Sequence, residues 1–338
     1  MPFAPSPTLR QWLVAEGGAA PFRRFMEAAL YDPHFGYYTT QIRTVGARGD
    51  FSTTATLSPA LARAVAAWVV REATPDCRDL IEIGPGSGAL HLALRRALGW
   101  RARCRWRSHL VERSPALQAE QQRRLGRWHR RVHWHASPAD ALLAAGGNAM
   151  IFSNELVDAF PVTLLQQHEN AWQEVWLELT SEGRLIEALR PYQGPLPHLD
   201  PKRLAEGQRV EFHHAYHTWG QTWRPAWRRG AMLTIDYGDT ADRLYHRRPQ
   251  GTLRGYAHHR VLHGLELYGP LGQSDLTADV NFTDLMERGA ELRLETVRLS
   301  SQAEFLADFI DPQCPTDQRL QDPHGAGGAF YCLMQRPY

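Results

Sequence analysis

An α/β fold built on a doubly wound, largely parallel sheet is what this sequence predicts. Three observations carry that reading. Short apolar segments alternate with helical ones between residues 79 and 152, the pattern that right-handed strand–helix–strand crossovers impose. A glycine-rich turn, Gly84-Pro85-Gly86-Ser87-Gly88, follows the first of those segments directly and opens a helix. After an interruption the alternation resumes at residues 231–236 and continues at 291–299 and 329–335, which brings the expected strands to seven.

Taken in order, residues 8–30 place Trp12, Leu13, Phe22, Phe25, Met26 and Leu30 at helical spacing and read as two short helices broken near Gly17-Gly18 and Pro21. Residues 31–38, rich in turn formers and aromatic rings, read as a loop that packs its rings. Ser58-Pro59 starts a helix to Glu72, a serine cap followed by proline in the first turn. The first strand is 80–83, the next helix 89–98, the second strand 108–111. Ser114-Pro115 opens a helix to about Leu125, 132–135 is the third strand, Ser137-Pro138 opens another helix, and 149–152 is the fourth strand. The expected organisation is an N-terminal helical and loop extension over 1–75, which contributes to the cofactor and substrate site, and a first core segment over 76–163. An inserted α+β lobe at 164–228 and a second core segment at 229–338, with a long substrate loop at 237–281, complete it.

The bulk composition narrows the function classes. The 338 residues suffice for one large or two smaller cores, and 38 Lys+Arg against 36 Asp+Glu leave a net charge of +2. Such a balance predicts no general attraction to nucleic acid or to an anionic membrane. The four cysteines form no C-x-x-C pair and the histidines no H-E-x-x-H, so no metal is expected. Scattered thiols, no signal-peptide pattern and no membrane-length apolar run predict a cytoplasmic protein.

The site candidates follow from the fold. The turn spacing is G-x-G-x-G and not the G-x-G-x-x-G of dinucleotide binders. Gly84, Gly86 and Gly88 allow a tight turn and close approach of a ligand, with acidic Glu82 in the strand just before. Glu112, at the end of the second strand, is placed to accept hydrogen bonds from ribose hydroxyls, so the expected ligand is a nucleoside. Asn154, Glu155 and Asp158 leave the fourth strand, where ligands of such sheets sit. If that segment turns helically, the two carboxylates face one way and can hold a guanidinium; a capped helix start is the competing reading. Asp236 and Tyr237 end the fifth strand as further candidates, and Asp275 and Thr277 lie in the long loop, where they can equally cap a helix.

With these stretches together the chain resembles the MidA family of methyltransferases, also described as the mitochondrial complex I assembly factor family. The matching segments are 25–33 with Gly36-Tyr37-Tyr38, Gly49-Asp50-Phe51, Glu82-Ile83-Gly84-Pro85-Gly86, Asn154-Glu155 with Asp158 and Pro161, Ile235-Asp236-Tyr237-Gly238, and Asp275-Leu276-Thr277-Ala278 with Val280 and Phe282. The resemblance implies a class I methyltransferase fold, S-adenosylmethionine as cofactor and a protein substrate methylated on arginine. It implies cofactor contacts at Gly84, Gly86, Glu112 and Gly49-Asp50-Phe51, and methyl transfer at Asn154, Glu155 and Asp158. The sequence departs from the family at Ser87, at 54–58 and at Ala278-Asp279-Val280-Asn281, on the acceptor side more than the cofactor side. Two other readings remain open at this point: a small-molecule or nucleic-acid methyltransferase, and a cofactor-binding assembly factor without catalysis. No partner beyond the substrate and, at most, a second copy in a homodimer is expected.

Overall fold

The structure, a computed structural model, describes residues 3–41, 59–257, 260–269 and 271–338. Two units divide the chain. The first to consider comprises 59–156, 218–238 and 286–338 among the described residues.

Seven strands run through it: β1 Asp79–Ile83, β2 Arg107–Val111, β3 Val132–His135, β4 Ala149–Asn154, β5 Met232–Asp239, β6 Leu294–Ser301 and β7 Phe330–Pro337. Their spatial order is β6-β7-β5-β4-β1-β2-β3. β1 to β5 are parallel, whereas β7 is antiparallel to both β5 and β6. This is the class I methyltransferase arrangement that the sequence predicts. Strand order reverses beside β1, so the carboxyl ends of β1 and β4 flank the switch point where ligands of open α/β sheets bind.

Alternate residues of the central strands serve two cores. Leu80, Phe152, Leu233 and Cys332 pack with Leu61, Val65 and Trp68 of the helix Pro59–Glu72. Ile81, Ile151 and Met232 pack with Ala141, Leu142, Trp223 and Trp227. Both faces of the sheet are therefore covered, which is why β1 is buried along its whole length. Two of the three predicted serine caps form, the Ser114 and Ser137 hydroxyls accepting from Leu117 N and Asp140 N, and Ser58 lies outside the described residues. The sixth strand begins at Leu294 and not at Glu291, because the preceding helix, Phe282–Glu291, persists to that residue and Arg293 then turns the chain with a left-handed φ of 56°.

The second unit comprises the described residues of 1–42, 157–217 and 239–285. Thr163–His168 and Ala171–Leu179 form a hairpin whose two turn residues, Glu169 and Asn170, both have positive φ, as the right-handed twist of a two-residue hairpin requires. Leu185–Pro191, Arg209–Phe212 and the short Ala19–Pro21 complete this antiparallel sheet. The sequence gives no strand signal at Ala19–Pro21: three residues between two helices have no readable period. The helix Phe22–Tyr31 buries Phe22, Phe25, Met26 and Leu30, with Phe25 edge-on to Tyr268 at 5.3 Å. The segment expected to be one long loop contains a second, three-stranded sheet, Arg254–Ala257 between Arg260–Leu262 and Asp275–Thr277. Its strands are too short to show alternation.

Candidate active site

The glycine turn leaves β1 with Gly84, Gly86 and Gly88 at φ 67°, 50° and 75°, all in the left-handed region that favours glycine. Space adds a second constraint at Gly84, where a Cβ would stand 2.8 Å from Leu156 Cδ1. Behind the turn, Glu82 Oε2 lies 3.0 Å from His91 Nδ1 on the following helix, Ala89–Ala97, and both side chains are buried. Glu82 thus fastens the strand to the helix that the turn connects.

Glu112 ends β2. Its Oε1 accepts from Ser114 N at 2.8 Å and its Oε2 from Gln121 Nε2 at 3.3 Å, while burial pushes its pKa up. Gln121 was not singled out in the sequence, yet it ties the site together. Its Nε2 also donates to Gly86 O at 2.8 Å, and its Oε1 accepts from Trp134 Nε1 at 2.8 Å. One readable signal existed: Leu117, Gln121 and Leu125 share a helical stripe, and the glutamine is a polar residue on that buried face, beside Glu120.

Asn154 and Glu155 leave β4 without forming the expected helical turn. Glu155 takes a φ of 54°, uncommon for a residue with a side chain, and its N–H donates to Ile235 O at 2.9 Å. Asp236, fully buried, accepts from Leu156 N at 3.1 Å and from Tyr237 N at 2.9 Å. The β4 turn is thereby pinned to β5. Asn154 Nδ2 donates to Glu155 Oε1 at 3.0 Å, and the buried Asn154 Oδ1 has no hydrogen-bond partner among the described residues.

Asp158 belongs to the second unit. Its Oδ2 accepts from the Thr277 hydroxyl at 3.0 Å and its backbone carbonyl from Ala278 N. Asp275, which the sequence leaves open between a site residue and a helix cap, lies on a strand and accepts from Tyr38 Oη at 2.9 Å. Burial pushes Asp158 up to about 6; burial and the neighbouring Asp158 push Asp275 up to about 7. Arg254 pairs with Asp279, and this neighbour holds its guanidinium firmly protonated. Gly49, Asp50 and Phe51 lie outside the described residues.

Comparison with known proteins agrees with this geometry. Residues 60–299 match the sequence profile of the family described as "Putative S-adenosyl-L-methionine-dependent methyltransferase". The chain is 28% identical over 313 residues to the mitochondrial "Protein arginine methyltransferase NDUFAF7 homolog" of Drosophila melanogaster, covering 82% of this chain and 68% of that protein. It is 26% identical over 305 residues to the mitochondrial protein arginine methyltransferase NDUFAF7 of Danio rerio, covering 81% and 69%. A Burkholderia thailandensis protein crystallised with S-adenosyl-homocysteine superposes with a TM-score of 0.82 at 28% identity, over 97% of this chain and 90% of that one. These curated relatives correct one expectation. All are named as mitochondrial, so the cytoplasmic assignment does not stand. Its physical basis was too coarse: dispersed thiols report a reducing environment and not which compartment supplies it. Among the described residues no helix is long and apolar enough to cross a membrane.

Proposed function

Because the chain belongs to this S-adenosyl-L-methionine-dependent methyltransferase family, we propose that it transfers the methyl group to an arginine side chain of a protein. The observation that carries the reading is the turn at 154–156: a non-glycine residue held at positive φ, carrying a carboxylate, at the carboxyl end of the strand beside the glycine turn. Backbone strain of this kind, about 1–3 kcal/mol, persists where the surroundings over-determine it and clusters at functional sites.

The residues suit the cofactor. Left-handed glycines at 84, 86 and 88 keep three positions of the turn free of side chains, and Glu112 offers carboxylate oxygens to a ribose diol. Gly49, Asp50 and Phe51 are assigned to the same role. When bound, S-adenosylmethionine supplies an electrophilic methyl group. Glu155 would hold the acceptor guanidinium through charge-assisted hydrogen bonds, and its carboxylate would take the proton that the attacked nitrogen sheds. Asn154, through its hydrogen bond to Glu155 Oε1, fixes that carboxylate and keeps a buried carbonyl oxygen for the acceptor N–H. For Asp158 the hydrogen bond to Thr277 supports a positioning role within its own unit. The names of the curated relatives support arginine, and the net charge of +2 favours a protein acceptor over nucleic acid.

The test is transfer of labelled methyl from S-adenosylmethionine into a lysate of cells lacking the protein, with Glu155→Gln as control. A labelled protein whose hydrolysate yields methylarginine, lost with the variant, is the expected result. Label in small molecules or nucleic acid would replace the arginine reading. Absence of label from a preparation that binds S-adenosyl-homocysteine would point to assembly without catalysis.

A further inference from the structure

A cavity of about 630 Å³ lies in the first unit, at the amino-terminal edge of the sheet. It adjoins the start of β6 and the end of β7, while the glycine turn leaves the opposite, carboxyl end of β1. Its volume falls in the range of small-molecule sites, roughly 300–1,000 Å³.

Its lining is cationic. Arg224, Arg228 and Arg293 all border it, against one carboxylate, Glu291. That carboxylate is already engaged by Arg288 at 2.8 Å. None of the three lining arginines has a carboxylate partner among the described residues. Arg224 is held in place by its own backbone surroundings: its two terminal nitrogens donate to Trp227 O at 2.8 Å and Arg293 O at 2.7 Å. Its buried Nε–H has no acceptor among the described residues. Burial and the Arg293 charge both push its pKa down. Arg293 itself is presented from a left-handed backbone, φ 56°, directly before β6.

Three guanidiniums around one cavity, with the already engaged Glu291 as counter-charge, repel one another, and an oxyanion offsets that repulsion. A carboxylate would satisfy one fork; a phosphate dianion matches several, with bidentate geometry. Apart from Gln221 the rest of the wall is largely apolar: Pro225, Trp227, Leu292, Pro337 and the exposed ring of Tyr338. We propose that this cavity is a second binding site, separate from the glycine-turn site, for a small organic phosphate with a flat apolar body.

The experiment is calorimetric titration of the full chain with phenyl phosphate, inorganic phosphate and benzyl alcohol. The variants are Arg228→Gln and Arg293→Asn, the asparagine being chosen because it tolerates the left-handed backbone. Both positions are exposed, so the fold should survive; Arg224, which anchors two carbonyls, is left intact. Saturable binding of phenyl phosphate, tighter than inorganic phosphate, absent for the alcohol and weakened about tenfold or more by each variant, is expected. Equal affinity in wild type and variants, or no saturable binding of either phosphate at millimolar concentration, would overturn the proposal. S-adenosyl-homocysteine titrated into the same preparations should bind all three proteins alike, which keeps this outcome separate from that of the methyl-transfer reading.

Discussion

Gln121→Leu removes the side chain that joins the glycine turn, Glu112 and Trp134. Three polar groups lose a partner: Gly86 O at 2.8 Å, Glu112 Oε2 at 3.3 Å and Trp134 Nε1 at 2.8 Å. Gln121 is fully buried, and solvent reaches Gly86 and Trp134 only in part. At about 1–1.5 kcal/mol for each loss, the polar cost is about 3–5 kcal/mol. Leucine is of similar size and recovers about 1–2 kcal/mol through apolar burial. The net destabilisation is therefore about 1–4 kcal/mol, measurable by urea unfolding followed through tryptophan fluorescence. A second readout separates site from scaffold. Without Gln121 the Glu112 carboxylate keeps the Ser114 N–H but loses the donor on its other oxygen. Affinity for S-adenosyl-homocysteine, measured by calorimetry, should fall about tenfold, equivalent to about 1.4 kcal/mol. Gln121→Glu should be worse for ligand, since it keeps an acceptor for Trp134 but faces Glu112 with a second carboxyl. Unfolding free energy within about 0.5 kcal/mol of wild type, together with unchanged ligand affinity, would refute this account of how the turn is held.

Gly84→Ala imposes a side chain at φ 67° and sets its Cβ 2.8 Å from Leu156 Cδ1. The left-handed backbone costs about 1–2 kcal/mol, and because the clash is with the end of a flexible side chain the fold should survive. Calorimetry should show S-adenosyl-homocysteine affinity at least tenfold weaker, with only a modest loss of thermal stability. Asp275→Asn tests the buried acid pair of the second unit. Folded pKa values of about 7 for Asp275 and about 6 for Asp158 stand above the unfolded value near 3.8, so the stability they contribute is present below pH 3.8 and lost as pH rises through those values. The variant should therefore gain roughly 1–3 kcal/mol relative to wild type at pH 8 and little at pH 5, read from thermal melts at the two pH values. An advantage independent of pH would refute the assignment.

The core sheet was legible because its strands are buried on both faces and are separated by helices with chemical punctuation. Ser114-Pro115 and Ser137-Pro138 mark helix starts that the structure confirms through their serine hydrogen bonds. The second unit was less legible. Its sheet gathers Ala19–Pro21 with strands more than 140 residues further along the chain, and no local period announces such a partner. Residues 237–281 contain strands of two to four residues, shorter than any alternation pattern needs. Gln121 escaped for a different reason: a glutamine on a helix is unremarkable until its apolar neighbours at Leu117 and Leu125 are read as one stripe.

The segment 154–158 shows how spacing alone misleads. Two acids three residues apart suggest one helical face, and the competing reading was a capped helix start. Neither forms, because the backbone is committed elsewhere. Glu155 N extends the β4–β5 ladder to Ile235 O, and Asp236 takes Leu156 N, so the chain stays bound to the neighbouring strand for two residues past the end of β4. A helix starting there would have to surrender both bonds. The buried carboxylate of Asp236, a further site candidate in the sequence, thereby decides where the Glu155 side chain departs. Asp236→Asn separates this role from a catalytic one. The amide can still accept one of the two backbone N–H groups, so the turn should loosen and S-adenosyl-homocysteine affinity should change by less than methyl transfer does. Equal losses in both would assign Asp236 to the cofactor and not to the turn that carries Glu155.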